Sequence, residues 1–170
     1  MSTPVRYDAQ YCPIARALDA LGDRWTLLVL RELVRGEQRF TDLKQALVGI
    51  TPAVLSARLR QLIDAGLVAE VPDDSSGRAR YAITDRGREA QPVMRALARF
   101  GMDLLEGPAE ADHVRPWSAV QTCLVVYFDP VVAASLAVDE RYLVRVDGED
   151  FLLSSRRGGG ASKAPVVTID

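Results

Sequence analysis

Residues 51–84 read TPAVLSARLRQLIDAGLVAEVPDDSSGRARYAIT, and this stretch decides the fold. Its first half carries large apolar residues three or four positions apart, at Leu55, Leu59, Leu62 and Ile63. This spacing is typical of one face of a helix and predicts an amphipathic helix that packs along that face. The opposite face would carry Ala53, Ser56, Ala57, Arg60 and Gln61.

Signals at both ends predict the bounds of this helix. Thr51 suits the N-cap, because its hydroxyl can accept a hydrogen bond from a backbone N–H of the first turn. Pro52 suits the first helical position, where no N–H is needed. Gly66 can adopt the left-handed conformation that ends many helices. We therefore expect a helix from Pro52 to Ala65, followed by a strand.

A second, shorter helix is predicted immediately upstream. Residues 40–47 (FTDLKQAL) place Leu43 and Leu47 four positions apart, and Thr41 is the predicted N-cap. The connection at residues 48–50 is short and contains glycine. Two helices joined in this way are typical of a helix-turn-helix, whose second helix lies in the major groove of DNA.

The second half of the stretch predicts a β-hairpin, which would be the wing of a winged helix. Val68–Val71 and Ala79–Thr84 have the composition of strands, and residues 72–77 between them (PDDSSG) are turn formers. Arg78 and Arg80 would then lie at the tip and at the inner edge of the wing.

Seven motifs follow one another along the chain without large gaps: YCPI (11–14), LGDRWTLLVLREL (21–33), RFTDL (39–43), ITP (50–52), LSARLRQL (55–62), GLV (66–68) and YAITDRG (81–87). Together they resemble the HxlR family of bacterial regulators over roughly Tyr11 to Leu105. One short motif is weak support for a family, whereas seven collinear motifs are specific. The resemblance implies a homodimeric winged-helix transcription factor that binds a palindromic operator.

The charge of the chain limits how it could bind DNA. Lysine and arginine number 21 against 23 acidic residues, and the isoelectric point is near 5.5. Residues 1–107 carry net +1 (15 basic, 14 acidic) and residues 108–170 carry net −3 (6 basic, 9 acidic). A basic DNA-binding surface would therefore have to be local. The candidate DNA contacts are Arg39, Thr41, Lys44, Thr51, Ser56, Ala57, Arg58, Arg60, Gln61, Arg78 and Arg80.

Arg60 is the best candidate for reading a base, because a guanidinium can pair with guanine O6 and N7 together. Its neighbours on the predicted helix would add weaker contacts. The wing arginines are better suited to phosphate or to the minor groove. Arg58 lies towards the packed flank of the helix, where the alternative is a bridge to a neighbouring helix.

The rest of the first domain is predicted to be scaffold and dimer interface. Arg24–Val34 is apolar almost all round, so we expect a central buried helix that Asp23 caps. Residues 86–105 predict a long helix with an apolar stripe and with a kink or break at Pro92. That stripe and residues 13–21 would pack against a second copy of the chain. A two-fold dimer of this kind would place two recognition helices about one DNA turn apart, which matches a palindromic operator. The predicted interface residues are Ile14, Leu18, Val93, Leu97, Phe100 and Leu104.

Cys12 is a candidate reactive thiol. It precedes Pro13 at a predicted helix start with Arg16 one turn on, and both a helix N-terminus and a cation stabilise a thiolate. In some HxlR-family members the matching cysteine senses oxidants or quinone-like electrophiles, so the resemblance implies a redox sensor. The alternative is that Cys12 is a small buried hydrophobe. Cys123 lies among apolar residues and is predicted to be core.

Beyond residue 105 the composition changes. We expect a linker at residues 106–116, which contains His113, and then a small α+β segment at 117–170. In that segment Trp117–Phe128 predicts a helix, residues 142–153 predict a hairpin that turns at residues 147–148, and Pro165–Ile169 predicts an extended segment. The segment resembles the opening part of a sterol-carrier-protein-like module. That resemblance implies an apolar ligand, although the chain ends where such a module would continue.

The predicted protein is therefore mainly α with small β: at residues 1–105, a winged helix-turn-helix with a three-helix core, a wing and a long C-terminal dimerisation helix. No enzymatic motif, metal site or cofactor site is recognisable in the sequence. The N-terminus lacks a signal peptide and no apolar run could cross a bilayer, which favours a cytoplasmic protein. The expected partners are double-stranded DNA, a second copy of the chain and a small-molecule or electrophile effector, and no membrane. The alternative is a winged-helix module that binds a protein or carries an apolar ligand without binding DNA.

Overall fold

The computed structural model describes residues 7, 10–72, 79–105, 120, 140–146, 148–156 and 166–169. The chain divides into two compact units, Met1–Met94 and Arg95–Asp170, and each unit is described by itself. Within the described ranges every helix falls short of the length and apolar character needed to span a bilayer.

The first unit alternates helices with a small sheet in the order of a winged helix-turn-helix. The last helix, α6, begins in this unit and continues past its boundary. The elements are α1 (Pro13–Leu21), α2 (Thr26–Leu33), β1 (Gln38–Arg39), α3 (Phe40–Ala46), α4 (Pro52–Asp64), β2 (Val68–Val71), β3 (Arg80–Ile83), α5 (Asp85–Arg88) and α6 (Gln91–Met102).

A leucine-rich core holds these elements together. Leu30 on α2, Leu43 on α3 and Leu55 on α4 have no exposed surface, and they belong to one cluster. Each fully buried leucine contributes about 1.5–3 kcal/mol relative to an exposed one. The predicted central buried helix is confirmed in α2, where Val29 and Leu33 are also fully buried.

Both ends of α4 form as its sequence predicts. The Thr51 hydroxyl accepts a hydrogen bond of 3.3 Å from the Val54 N–H. At the other end Gly66 has φ +70°, its N–H donates to the Ile63 carbonyl, and the Leu67 N–H donates to the Leu62 carbonyl. This pair of bonds is the Schellman motif, and it turns the chain directly into β2.

Two predicted helix caps are wrong. Trp25 rather than Asp23 is the N-cap of α2, and only the Asp23 backbone carbonyl takes part there, by accepting from the Thr26 N–H at 3.0 Å. The N-cap of α3 is Arg39 rather than Thr41, because the Asp42 carboxylate accepts from the Arg39 N–H at 3.1 Å. At α2 the Asp23 backbone carbonyl, rather than the Asp23 side chain, satisfies the Thr26 N–H. At α3 the side-chain acceptor at the helix start is Asp42 rather than Thr41.

The predicted wing strands are confirmed as an antiparallel pair. Val68 lies opposite Ile83 and Val71 lies opposite Arg80. The sheet also has a third strand that the sequence did not predict, since β1 pairs with β3 on its other side. Two residues are too few to show a strand period, so β1 could be found only from the fold. Residues 73–78, which include Arg78 and most of the predicted turn, lie outside the described residues.

The predicted long helix after the wing is broken, as the position of Pro92 indicated. α5 is a single turn, and the Thr84 hydroxyl begins it by accepting from the Gly87 N–H at 3.0 Å and donating to the Gly66 carbonyl at 2.8 Å. The chain then turns at residues 89–90, and Pro92 is the second residue of α6. A proline in the first helical turn lacks an N–H that would have no partner there.

The second unit contains an antiparallel sheet of β4 (Glu140–Val146), β5 (Glu149–Arg156) and β6 (Val166–Ile169), in that order. The predicted hairpin is confirmed, because Val146 pairs with Glu149 across residues 147–148, where Gly148 has φ +83°. The Arg145 guanidinium binds the Asp150 carboxylate through two contacts of 2.5 and 2.8 Å, which lowers the pKa of Asp150.

Several predictions for the second unit fall outside the described residues. These are the linker at residues 106–116 with His113, and the helix at Trp117–Phe128 with Cys123; only Val120 of that helix is described, and it is buried. The predicted extended segment at Pro165–Ile169 is confirmed from Val166 to Ile169 as β6.

Replacing Gly87 with alanine is expected to destabilise the first unit. A Cβ at Gly87 would lie 2.1 Å from the Leu67 carbonyl oxygen and 2.7 Å from Ile83 Cγ1, so the backbone would have to shift. Overpacking of this kind costs about 1–3 kcal/mol, which a urea unfolding curve measures as a lower midpoint. Gly101→Ala is the matched control, because a Cβ there would meet nothing within 4 Å. Equal midpoints for the two variants would contradict this account.

Candidate nucleic-acid interface

The outer face of α4 presents the residues that could read DNA. Arg60 and Gln61 are exposed, whereas Ser56 and Ala57 are half-buried. Arg60 Nε donates to the Ser56 carbonyl at 3.3 Å, so the guanidinium extends towards the N-terminus of the helix. Among the residues that the structure describes, Arg60 has no carboxylate partner. Its charge is therefore available to a ligand at this face.

Arg58 has a different environment from Arg60. Its Nη1 atom forms an ion pair with Asp23 Oδ2 and donates to Gln61 Oε1. The Arg58 side chain is only 20% exposed, and burial lowers the pKa of its guanidinium. Of the two roles predicted for Arg58, this geometry favours the bridge to the scaffold over a direct DNA contact.

A second basic group lies at the base of the wing. Arg39 on β1 and Arg80 on β3 are paired residues of the sheet, and both are half-buried. Residues paired in this way have Cβ atoms about 4.5–5.5 Å apart and point to the same face. The two cations lie 41 positions apart in the sequence, so their juxtaposition comes from the fold. Two arginines paired across a sheet suit an anion such as a DNA phosphate.

The remaining predicted contacts lie around the helix-turn-helix. Thr51 is exposed at the start of α4, Thr41 is exposed in the first turn of α3, and Lys44 is half-buried on α3. Gly49 has φ +88° in the connection between the two helices. The shortness of this connection brings the N-terminus of α4 close to the end of α3.

The structure contains two polar side-chain clusters that the sequence did not predict. Glu32 on α2 is only 2% exposed, and its carboxylate binds Arg31 at 2.7 Å and Arg35 at 3.4 Å. On the wing, the Tyr81 hydroxyl donates to Glu70, which lies directly opposite on β2. The first cluster has a signal in the sequence, an i, i+3 pair of opposite charges. The second depends on strand register.

The contact with Glu70 affects the pKa of Tyr81. Burial first, and then the charge of Glu70 and the hydrogen bond to it, raise the pKa of the Tyr81 phenol. The neutral phenol is the form that fits this site, because an ionised phenolate would face the Glu70 carboxylate.

Cys12 is the N-cap residue of α1, is half-buried and has no disulfide partner among the described residues. Arg16, the cation expected to favour its thiolate, forms an ion pair with Asp19 at 3.4 Å. This pairing weakens the electrostatic reason for predicting a reactive thiol. Redox sensing by Cys12 stays a prediction.

The six residues predicted to form a dimer interface are all exposed. On α1 these are Ile14 and Leu18, of which Ile14 is 71% exposed. On α6 the exposed residues Val93, Leu97 and Phe100 lie three or four positions apart and so share one helical face. Leu104 is exposed in the turn just after the helix. The described part of α6 has no buried residue.

A buried three-helix core, a helix-turn-helix with an exposed second helix and an antiparallel wing define a winged helix-turn-helix protein. A family model described as HxlR-like helix-turn-helix matches residues 20–108. The chain belongs to this family, which confirms the resemblance read from its motifs.

Relatives and solved structures agree with this assignment. The chain is 43% identical to sll1512 of Synechocystis sp., an uncharacterized HTH-type transcriptional regulator, over 56% of this chain and 71% of that protein. It is 41% identical to Rv3095 of Mycobacterium tuberculosis, which is named in the same words, over 56% of this chain and only 60% of that protein. The crystal structure of PA1607 matches with 37% identity and a TM-score of 0.54, over 62% of this chain and 72% of that chain.

The redox regulator HypR in its oxidized form matches with a TM-score of 0.53 but 24% identity, over 56% of this chain and all of that chain, so this likeness shows the fold alone.

The family and the named relatives make the chain a DNA-binding transcriptional regulator and not an enzyme. The sterol-carrier-like interpretation of the second unit stays a prediction.

Tyr81 is expected to make the stability of the first unit depend on pH in the alkaline range. Because its pKa is raised by folding, its contribution is complete below the ordinary tyrosine pKa of about 10 and is lost as the pH rises through the folded pKa. Urea unfolding midpoints between about pH 9 and about pH 11 measure this loss. Tyr81→Phe should reduce the decline, and an equal decline in both proteins would refute the assignment to Tyr81.

Proposed function

We propose that the chain regulates transcription as a homodimer that binds a palindromic operator through α4 and the base of the wing. Arg60 is the principal base-reading residue, and Arg39 and Arg80 contact phosphate. The observation that carries the proposal is the exposed outer face of α4, where Arg60 has no acidic partner among the described residues while the opposite face is buried. The family assignment favours this function over a winged helix that does not bind DNA.

The local character of the basic groups supports this mode of binding. The whole chain has a net charge of −2, so general attraction to DNA is weak and distant acidic residues oppose it. Specific contacts must then supply a large share of the affinity. Arg60 suits the bidentate recognition of guanine, which discriminates by about 1–3 kcal/mol against a wrong base.

The exposed apolar residues of α1 and α6 support a dimer. Phe100 is 72% exposed and shares one face of α6 with Val93 and Leu97, and Leu104 just after the helix is 66% exposed. A contiguous apolar face of this kind is typical of a surface that a partner covers. A two-fold dimer presents two recognition helices, and a palindrome is the DNA sequence that matches this symmetry. We further predict two effectors: an electrophile that reacts at Cys12, and an apolar ligand that binds the second unit.

Arg60→Ala is expected to weaken binding to a DNA duplex that the wild-type protein has selected from a random pool. The loss should be about 1–3 kcal/mol, and the preference at one base pair in each half-site should disappear. A gel-shift titration at fixed salt measures both effects. Arg88→Ala removes the same charge from an exposed position on α5 and is the control. The assignment fails if the two variants bind alike.

Phe100→Glu is expected to convert the dimer into a monomer, because it places a charge on the apolar face of α6. Since Phe100 is exposed in the single chain, the substitution should leave the thermal unfolding of the monomer unchanged. Analytical ultracentrifugation measures the assembly state, and Phe100→Leu is the control that keeps an apolar contact. A wild-type protein that sediments as a monomer would rule out the dimer.

A further inference from the structure

We infer that Asp23 positions Gln61 on the recognition helix through Arg58, so that Gln61 offers its amide N–H groups to DNA. Gln61 would then read base edges that carry only acceptors. The inference rests on the proposed function, since it assigns a specificity to the same face of α4. Asp23 lies outside the helix-turn-helix, and its place in the sequence predicts only a cap for α2.

The contacts form a chain of three side chains. Arg58 Nη1 has two N–H bonds, and it contacts both Asp23 Oδ2 and Gln61 Oε1. One N–H is thus available for each oxygen. The carboxylate holds the guanidinium, and the guanidinium holds the amide oxygen.

The chemistry of arginine determines which end of the Gln61 amide faces outward. A guanidinium has donors and no acceptor, so the atom of Gln61 that it contacts must be the carbonyl oxygen. Gln61 is an exposed residue of α4, so its amide nitrogen is then left to face a ligand with its two N–H bonds. Arg58 therefore sets the polarity of Gln61 as well as its position.

This polarity has a consequence for base recognition. Glutamine pairs with adenine by accepting from N6 and donating to N7, which requires its carbonyl oxygen. Guanine O6 and N7 and thymine O4 are acceptors, and they need only the N–H groups. Because Arg58 turns the amide oxygen inward and leaves the N–H groups outward, Gln61 favours guanine or thymine over adenine.

The turn that contains Asp23 is positioned to hold the start of α4 in place. Trp25 lies beside Gly49, in the connection that leads into α4, since its Cη2 atom is 3.8 Å from where a Gly49 Cβ would be. Asp23 and Trp25 thus contact the flank of α4 and the turn before it from one short segment. This segment precedes α4 by about 30 residues, so only the fold brings them together.

Two explanations of the role of Asp23 predict opposite effects of Asp23→Asn on DNA affinity. If Asp23 were merely a negative charge near DNA, Asp23→Asn would tighten DNA binding. If it positions Arg58 and Gln61, the same variant weakens binding to the selected duplex. Asp64→Asn is the matched control, because Asp64 is an exposed acid at the end of the same helix.

The test compares wild-type protein, Asp23→Asn and Asp64→Asn on a selected duplex and on an unrelated duplex across a series of salt concentrations. We expect Asp23→Asn to lose roughly tenfold in affinity for the selected duplex, as loss of one good base contact does. Its affinity for unrelated DNA and its salt dependence should match those of Asp64→Asn. Tighter binding of the selected duplex by both variants would overturn the inference.

A second arm reads the base preference directly. Each half-site position is substituted in turn, and the position at which Gln61→Ala loses discrimination identifies the base that Gln61 contacts. Wild-type protein should prefer guanine or thymine there, and Arg58→Met, which frees the carbonyl oxygen, should raise the relative affinity for adenine. A wild-type preference for adenine would overturn the inference.

The controls separate the ways in which the experiment can fail. Asp23→Glu keeps the carboxylate and should restore binding, and thermal unfolding shows whether Asp23→Asn remains folded. Failure of wild-type protein to select any sequence would refute the proposed function. Specific wild-type binding, with Asp23→Asn behaving like Asp64→Asn, would refute only the role of Asp23.

Discussion

Burial of one face of α4 against the core is the constraint on which the rest of the first unit depends. Leu55, Leu59 and Leu62 have 2% exposure or less, and they pack in one cluster with the buried residues of α2. Each helical residue is offset by about 100° from the next, so burying these three leucines determines which residues face solvent. The exposed position of Arg60 is therefore a consequence of core packing.

The ends of α4 extend this constraint to the wing. The Schellman motif at Gly66 brings the chain back along the core, and the Leu67 carbonyl accepts from the Thr84 N–H at 3.1 Å. Gly87 contacts the same carbonyl so closely that a side chain would not fit. Helix α4 and the wing are thus held to one another by backbone contacts around a few residues.

Charged residues of the first unit are divided between those that stabilise the scaffold and those that remain available to a ligand. Glu32 is buried but bound by two arginines, which satisfies a carboxylate that would otherwise be costly to bury. Asp23 engages Arg58, whereas Arg60, only two residues further on, has no acidic partner in the described part of the chain. A nearly neutral domain can in this way present a local basic surface.

The sequence by itself determined the elements whose signals are local. Thr51, Pro52 and Gly66 delimit α4 because caps and left-handed turns involve neighbouring residues, and the leucine spacing selects its buried face. Tertiary structure decided what depends on distant residues: the third strand β1, the pairing of Arg39 with Arg80, and the engagement of Asp23 with Arg58 instead of a helix end. A side chain that can cap a helix can equally bind a cation, and only the position of that cation in the folded chain decides between the two.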